Sequence, residues 1–509
     1  MGRTKNSILN FLVGIGSNLL TLILGFVSRN IFLYFLSIEY LGVSGLFSSV
    51  LTMLSLAELG FASAIIYSLY KPLADKDEET IVAIMQLFRK VYRTISLIVF
   101  VAGMCCLPIL DFIVGDGGEK IEHLPIIYVL FVINTSVTYL FSYNETLITA
   151  DQKAYKLAAI KYISNLLLTL LPLVTLALTR EYIVFLVTQI VVRIFTNIVI
   201  YFRVIKEYPI LLSKEKRKLP AEISRTIKKN VLALAIYKIA IAVTAGTDNI
   251  LISIMFGVTA VGIYSNYTLI TQSIISLVSQ GMNAIVSSIG NLAATSRDDD
   301  KISVFYSVQL MNFWLYGFAS IGMFFCINSV IKIWLPDVEV FSMSVVLPLV
   351  LSFFLLGMQN SVSLFRDAQG LFWQGKLRPI AQTVINLVAS VLIARLSNSV
   401  SGIVWGTVLS RLLVNFWFDP YIVFKYGFKK PVFPYFKKYS FYVLVEMVAF
   451  FSAYCVLCLN PFDDSWLSLI FDICSCTVIV NIVFLAFFCR LSEFQYIYQH
   501  LLMILVRHK

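Results

Sequence analysis

Apolar runs of about twenty residues recur along the whole chain, and no other feature limits its folding as much. A helix needs about 20 apolar residues to cross the hydrocarbon of a bilayer. Inside hydrocarbon every backbone N–H and C=O must be bonded internally, which leaves only helices and closed barrels. These runs are long and do not alternate with polar residues, which argues against a barrel. Composition agrees. Of 509 residues, 59% are hydrophobic and 14% charged, and the mean hydropathy is +0.84. Soluble domains carry about 25% charged residues, and disordered chains are poor in large aliphatics. The expected class is an all-α polytopic membrane protein.

The runs lie near residues 10–36, 42–70, 94–115, 124–148, 157–179 and 182–204. After a polar, basic stretch they resume near 231–256, 259–292, 303–335, 341–365, 378–398 and 400–424, with two more near 440–460 and 465–489. That spacing predicts about 14 transmembrane helices. The first run is too long for a signal-peptide core and lacks a clear cleavage site, so it reads as an uncleaved span. The tail 491–509 reads as an interfacial helix. Of the 40 Lys and Arg residues, four lie mid-span and only Lys120, Arg180, Lys332 and Arg395 fall on the side opposite the N-terminus. The other 32 share the N-terminal side, which places both termini in the cytoplasm. The net charge of +11 is therefore a topology signal, and no nucleic-acid partner is expected.

Several chemistries find no support. His123, His500 and His508 are too scattered for a metal site, and none lies mid-span, as a membrane acyltransferase would want. The eight cysteines sit almost entirely in apolar runs, where Cys behaves as a small hydrophobe; Cys455 and Cys458 have no second pair at zinc spacing. Gly115 to Lys120 imitates a phosphate-binding loop but lacks its final Ser or Thr, so no ATPase is encoded. Outer loops are short, unlike those of a polysaccharide polymerase. No catalytic residue, metal or cofactor is expected, and the chain reads as a non-enzyme.

An internal repeat appears at an offset of about 220 residues. Ser28-Arg29-Asn30-Ile31-Phe32-Leu33 matches Thr247-Asp248-Asn249-Ile250-Leu251-Ile252. Leu41-Gly42-Val43 matches Val261-Gly262-Ile263, and Ser55-Leu56 with Gly60 matches Ser276-Leu277 with Gly281. Six spans separate the copies, so each pair keeps one orientation. This predicts two parallel six-helix lobes around a central cleft, related by an axis along the membrane normal, as in transporters. The lobes are 1–202 and 231–425, joined by a basic cytoplasmic linker at 203–230. Helices 13 and 14 at 426–490 are an addition, followed by the tail at 491–509.

Charges at bilayer depth cost about 2.5–3.5 kcal/mol on insertion scales and are functional candidates by default. The deep cations are Arg29, Arg193, Lys238 and Arg411; the deep acids are Glu58, Asp248 and Asp419. A cationic cleft suits an anionic cargo, because the planar Arg fork matches phosphate oxygens. The cations are thus candidate diphosphate ligands and the acids candidates for gating or ion coupling, with H+ or Na+ as the ion. Structural ion pairs between helices are the alternative. The repeat makes Arg29 and Asp248 equivalent positions, and they are expected to pair when the outer side is closed. Glu145, Lys161 and Arg366 lie near span ends, where snorkelling accounts for them. The polar residues Asn134, Thr138, Tyr139, Tyr143, Asn144 and Glu145 of the fourth span, and Tyr264, Asn266, Tyr267, Thr271 and Gln272 of the eighth, fit interhelical bonding better than sugar recognition.

Three loose motifs, in order and well spaced, carry a family resemblance. They are Tyr40-Leu41-Gly42-Val43 through Leu54-Ser55-Leu56-Ala57-Glu58-Leu59-Gly60-Phe61; Asp248-Asn249-Ile250-Leu251-Ile252 through Val261-Gly262-Ile263-Tyr264-Ser265; and Phe365-Arg366-Asp367-Ala368-Gln369-Gly370-Leu371 with Ile385-Asn386-Leu387 and Gly402-Ile403-Val404-Trp405-Gly406-Thr407. Over nearly its whole length the chain resembles the Wzx-type polysaccharide flippases of the multidrug/oligosaccharidyl-lipid/polysaccharide exporter (MOP) superfamily. The resemblance implies a polyprenyl-diphosphate-linked oligosaccharide as cargo. It would move from the inner to the outer leaflet of a bacterial plasma membrane by alternating access, for capsule, exopolysaccharide or O-antigen synthesis. Membrane lipids and the polysaccharide polymerase machinery are the implied partners. Peptidoglycan-precursor flippases of the same superfamily have fourteen spans, the last two forming a groove for the lipid tail, and place arginines in the cleft, a pattern that Arg29 fits. The alternative is an ion-coupled drug or small-molecule antiporter of the same superfamily, whose acidic cleft would not need four deep cations.

Overall fold

The computed structural model describes residues 21–54, 61–151, 153, 155–212, 219, 243, 246–280, 282, 298–369, 371, 374–375, 377–462 and 466–506. Among these residues there is no strand; the elements are helices joined by short turns. Glu58 and Lys238 lie outside the described residues. Two compact units emerge, one spanning Leu24–Gly262 and the other taking in the chain from Ile263 onward.

The first unit holds α1 (Thr21–Phe35), α2 (Ile38–Leu54), α3 (Phe61–Asp75), α4 (Glu78–Cys105), the short α5 (Leu110–Val114), α6 (Leu124–Ala150), α7 (Tyr155–Thr179) and α8 (Tyr182–Glu207), with the start of α9 (Gly246–Gln280). Helix α4 begins sixteen residues before the expected span, because Asp77 caps it. Asp77 Oδ1 accepts from Thr80 N at 3.0 Å and Oδ2 from Thr80 Oγ1 at 2.6 Å. Glu78 and Glu79 occupy the first turn, where acids complement the helix dipole. Further along, Gly103 lets α6 approach, since a Cβ there would lie 2.9 Å from the Val132 methyls. Tyr128 Oη donates to Gly103 O at 2.9 Å and Ser96 Oγ to Ser136 O at 2.8 Å. Phe47 of α2 packs edge-on against Tyr128 and Phe131 in the buried core.

Helix α9 is interrupted at Gly257, whose φ of +81° favours glycine. Beside this break, a Cβ on Gly42 would lie 2.0 Å from Val258 O, and one on Gly262 would lie 2.4 Å from Ile38 O. The two contacts are images of each other under the 220-residue offset, Ile38 answering to Val258 and Gly42 to Gly262. At the same end of the unit, Val258 N donates to Asp116 O at 2.9 Å and Lys120 pairs with Glu39 at 3.0 Å. The opposite end carries Lys153 paired with Asp151 at 2.7 Å, and Lys156 with Glu207.

The second unit contains α10 (Asp298–Trp334), α11 (Met343–Ala368), α12 (Arg378–Ser397), α13 (Val400–Ser410), α14 (Phe416–Ile422), α15 (Phe433–Leu457), α16 (Trp466–Phe488) and α17 (Ser492–Val506). Helices α13 and α14 form one membrane-length rod, Val400–Phe428, with π-helical turns at Arg411–Asn415 and Val423–Phe428. Gly402 and Gly406 seat α13 on the α12 backbone: a Cβ would lie 2.4 Å from Ala394 N or Ser390 N. The core is aromatic, with Phe313 stacked on Tyr442 at 4.9 Å and Phe484 beside them. Eleven described helices are long and apolar enough to cross a membrane, and α1 and α2 are shorter apolar helices. With α9 divided at Gly257, these fit the expected fourteen.

Candidate functional site

Three polar stripes converge inside the first unit. On α2, Ser44, Ser48 and Thr52 recur every four residues; on α6, Asn134, Thr135, Thr138 and Tyr139 share a face; on α8, Tyr182, Phe185, Gln189 and Arg193 do the same. Spacings of three and four residues put each set on one side of its helix. Together with Leu51, Phe131 and Leu186 they line a cavity of about 370 Å³, within the range of small-molecule sites. Arg193 is eleven residues into the 26-residue α8, about 16 Å from its start at 1.5 Å per residue, so the cavity runs from the first residue of α8, Tyr182, to near mid-helix.

Among the described residues that line the cavity, Arg193 is the one that carries a charge. Among the described residues no carboxylate is bonded to it, and its Nε has no hydrogen-bond partner. Asn134 Oδ1, also on the cavity wall, is likewise buried and has no partner among the described residues. Buried polar atoms are nearly always bonded to protein, water or ligand. A single guanidinium among neutral hydroxyls and amides can hold an oxyanion and hydrogen-bond a polyhydroxylated group. Tyr182 and Phe185 of the lining stack at 5.7 Å, and Phe32 packs edge-on against both at 5.6 and 5.7 Å.

The structure thus joins Arg193 to the fourth-span patch, whose Asn134, Thr138 and Tyr139 line a cavity; the sequence favoured helix-to-helix bonding for them. Gln189 and the α2 hydroxyls were missed, although Ser44, Ser48 and Thr52 stand at helical spacing in an apolar run. Arg29 on α1 and Asp248 on α9 are both partly buried and belong to the same unit. Arg411 lies in the second unit, donates to Ser352 O at 2.7 Å and borders a cavity of about 10 Å³, room for about one water.

Asp419 is fully buried and fully engaged. It accepts from Arg366 at 2.9 Å, Arg378 at 2.6 Å and Gln359 at 2.6 Å. Arg366, only 4% exposed, does not snorkel: it binds Asp419 and also Asp367 at 2.9 Å, because a buried guanidinium must be paired. Glu145 and Lys161 likewise form an ion pair. Among the described residues no group of three or more His, Cys, Asp or Glu gathers as a metal site would require.

No family model matches the sequence, and no curated protein matches it. Solved structures do. Lipid II flippase MurJ, in an inward closed conformation, aligns over 94% of this chain and 99% of its own, with a TM-score of 0.65 at 14% identity. An inward-facing multidrug resistance MATE family transporter of the MOP superfamily aligns over 81% of this chain and 98% of its own, with a TM-score of 0.61 at 15% identity. A MOP superfamily transporter from Pyrococcus furiosus aligns over 84% and 98%, with a TM-score of 0.56 at 14% identity. The chain has the fold of these proteins.

Proposed function

We propose that this chain, folded like the MOP-superfamily transporters, is a flippase for polyprenyl-diphosphate-linked oligosaccharides. It moves them from the inner to the outer leaflet of a bacterial plasma membrane by alternating access, and delivers them to polysaccharide polymerase machinery. The observation that carries this reading is the cavity bordered by Arg193: among the described residues that line it there is one cation, no acid, and a wall of hydroxyls, amides and aromatic rings. That chemistry suits a diphosphate and sugars, whereas a cationic drug would call for a carboxylate. The likeness to a lipid II flippase over 94% of the chain, against 81% for the MATE transporter, supports the same choice. Arg193 is assigned to the diphosphate, with Arg29, Lys238 and Arg411 as further ligands along its route. Asp248, Glu58 and Asp419 are assigned to gating, Asp248 through its repeat partner Arg29.

The test is cargo flipping in proteoliposomes by wild type, Arg193→Ala and Arg29→Ala, each with its folding verified. Wild type should flip the lipid-linked oligosaccharide and Arg193→Ala should lose at least tenfold. Flipping by Arg193→Ala at the wild-type rate would remove the assigned site. Ion-driven export of a cationic drug by a wild type that flips no glycan donor would replace the reading with an antiporter. For gating, Arg29→Asp combined with Asp248→Arg should recover flipping lost in either single variant.

A further inference from the structure

Helices α15 and α16 lie outside the repeat, and the middle of α15 carries one acid that the site above does not use. Glu446 Oε1 lies 2.8 Å from Ser320 Oγ on α10. The same Oγ lies 2.9 Å from Gly317 O, one turn back. A serine hydroxyl has a single hydrogen. When that hydrogen serves the Gly317 carbonyl, the hydrogen between Ser320 and Glu446 has to come from the carboxyl group. The other oxygen, Oε2, is shielded from solvent and has no partner among the described residues. It sits where α10 comes closest, since a Cβ on Gly317 would lie 2.5 Å from it and 3.2 Å from the Phe484 ring of α16.

Among the described residues no cation is paired with this carboxyl. Between Lys301 and Lys332, α10 has no charged residue, and its titratable groups there are Tyr306, Tyr316 and Cys326. The one charged residue on α16 is Asp472, bonded to Asn460 at 2.9 Å and twelve residues from Phe484, about 18 Å along the helix; Cys474 and Cys476 lie between. On α15 itself, Lys438 is eight residues away, paired with Glu493 and seated over the Tyr306 ring at 3.9 Å. Lys437 is exposed. Tyr442, one turn from Glu446, is buried, and its Oη has no partner among the described residues. An ionised Glu446 would be a charge with one hydrogen bond and no counterion beside a phenyl ring, a costly state.

We infer that Glu446 is a proton-binding site, a carboxylic acid that holds its proton while α15 is seated on Gly317 and Ser320 and releases it when the helices part. Protonation is thereby tied to the packing of α15 on α10. Where the protein works as a flippase, as proposed above, this site makes H+ the coupling ion and places it outside the repeat.

Two measurements on the full chain separate this inference from the transport reading. Infrared difference spectra of the purified protein between acid and alkaline pH need no cargo. Wild type should show a protonated carboxyl C=O band that is absent in Glu446→Gln and shifted in Ser320→Ala, which loses the bonded hydroxyl. An unchanged band in Glu446→Gln, which keeps the shape of the neutral acid, would overturn the proton site. In proteoliposomes, an imposed pH gradient should change the wild-type flipping rate, and Glu446→Gln should lose that response. Flipping by Glu446→Gln that answers the gradient like wild type would overturn the coupling role while leaving the flippase reading in place. A Glu446-dependent band in a protein that flips nothing would support the proton site and remove the transport reading instead.

Discussion

Substituting either glycine of the reciprocal contact should cost stability, and the two costs should not add. A Cβ at position 42 would lie 2.0 Å from Val258 O, and one at 262 would lie 2.4 Å from Ile38 O. Ordinary C···O approach is about 3.3 Å, so the backbones must retreat by about 1.3 Å for Gly42→Ala and about 0.9 Å for Gly262→Ala. Overpacking of this kind costs about 1–3 kcal/mol, with Gly42→Ala the more severe. One retreat relieves both clashes, because residues 38–42 face residues 258–262. The double variant should therefore fall short of the sum by about 1 kcal/mol, within the range for coupled neighbours. Gly45→Ala is the control: its Cβ would meet Val261 Cγ1 at 3.6 Å, an ordinary contact, and in the interior of α2 it should leave the protein as stable or more stable by up to about 1 kcal/mol. Equilibrium unfolding in mixed micelles supplies all four values. Strict additivity, or a Gly42→Ala variant as stable as the Gly45→Ala control, would refute the geometry of the contact.

Three further outcomes follow from the packing. Asp419→Ala should destabilise the protein by about 3–5 kcal/mol, because it leaves Arg366 and Arg378 buried without their shared carboxylate; a loss below about 1 kcal/mol in the same unfolding assay would mean the cluster is not closed. Gly322→Ala should stabilise α10 by about 0.5–1 kcal/mol, since nothing lies within 4 Å of the added methyl and Gly weakens helix interiors; a lowered unfolding midpoint would contradict the open space. Hydrogen bonds from the Thr80 side chain and backbone hold the Asp77 carboxyl below its ordinary value. Its contribution to α4 is therefore present above about pH 3.9, the usual Asp value, and is lost as pH falls through the lower folded value. Asp77→Asn keeps a capping side chain and should flatten that acid limb in melts between pH 2 and 7, and an unchanged limb would show that Asp77 does not set it.

Much of this was legible because a bilayer leaves so few options. Long apolar runs can only be helices there, so the span pattern survives from α6 through α16, with ends mostly displaced by a few residues; the start of the seventh expected span and the end of the eighth lie outside the described residues. The largest displacement, at the start of α4, came from reading hydropathy where a cap decides: Asp77 and Thr80 start the helix long before the chain turns apolar. The match of Leu41-Gly42-Val43 with Val261-Gly262-Ile263 held real geometric content, since both glycines meet a backbone carbonyl. The Asp419 cluster was hidden because its partners come from two other helices, 53 and 41 residues away in sequence. Position near a span end cannot distinguish an arginine reaching for water from one reaching for a carboxylate. Single polar residues such as Gln189 and Glu446 were passed over because one polar residue disturbs the average of a window very little.

The rod from Val400 to Phe428 widens twice, at Arg411–Asn415 and at Val423–Phe428. A π turn accommodates roughly one residue more than an α turn, and one residue corresponds to about 100° of rotation. The azimuth of Asp419, which lies between the two widened turns, is therefore set by the first of them. If Arg411–Asn415 tightened to α geometry, Asp419 would swing about 100° out of line with Arg366 and Arg378, and the Arg411 bond to Ser352 would have to re-form elsewhere. The span behaves as a vernier: a shift of one residue at its middle is read out as the making or breaking of a buried charge cluster two turns away, with no bending of the rod required.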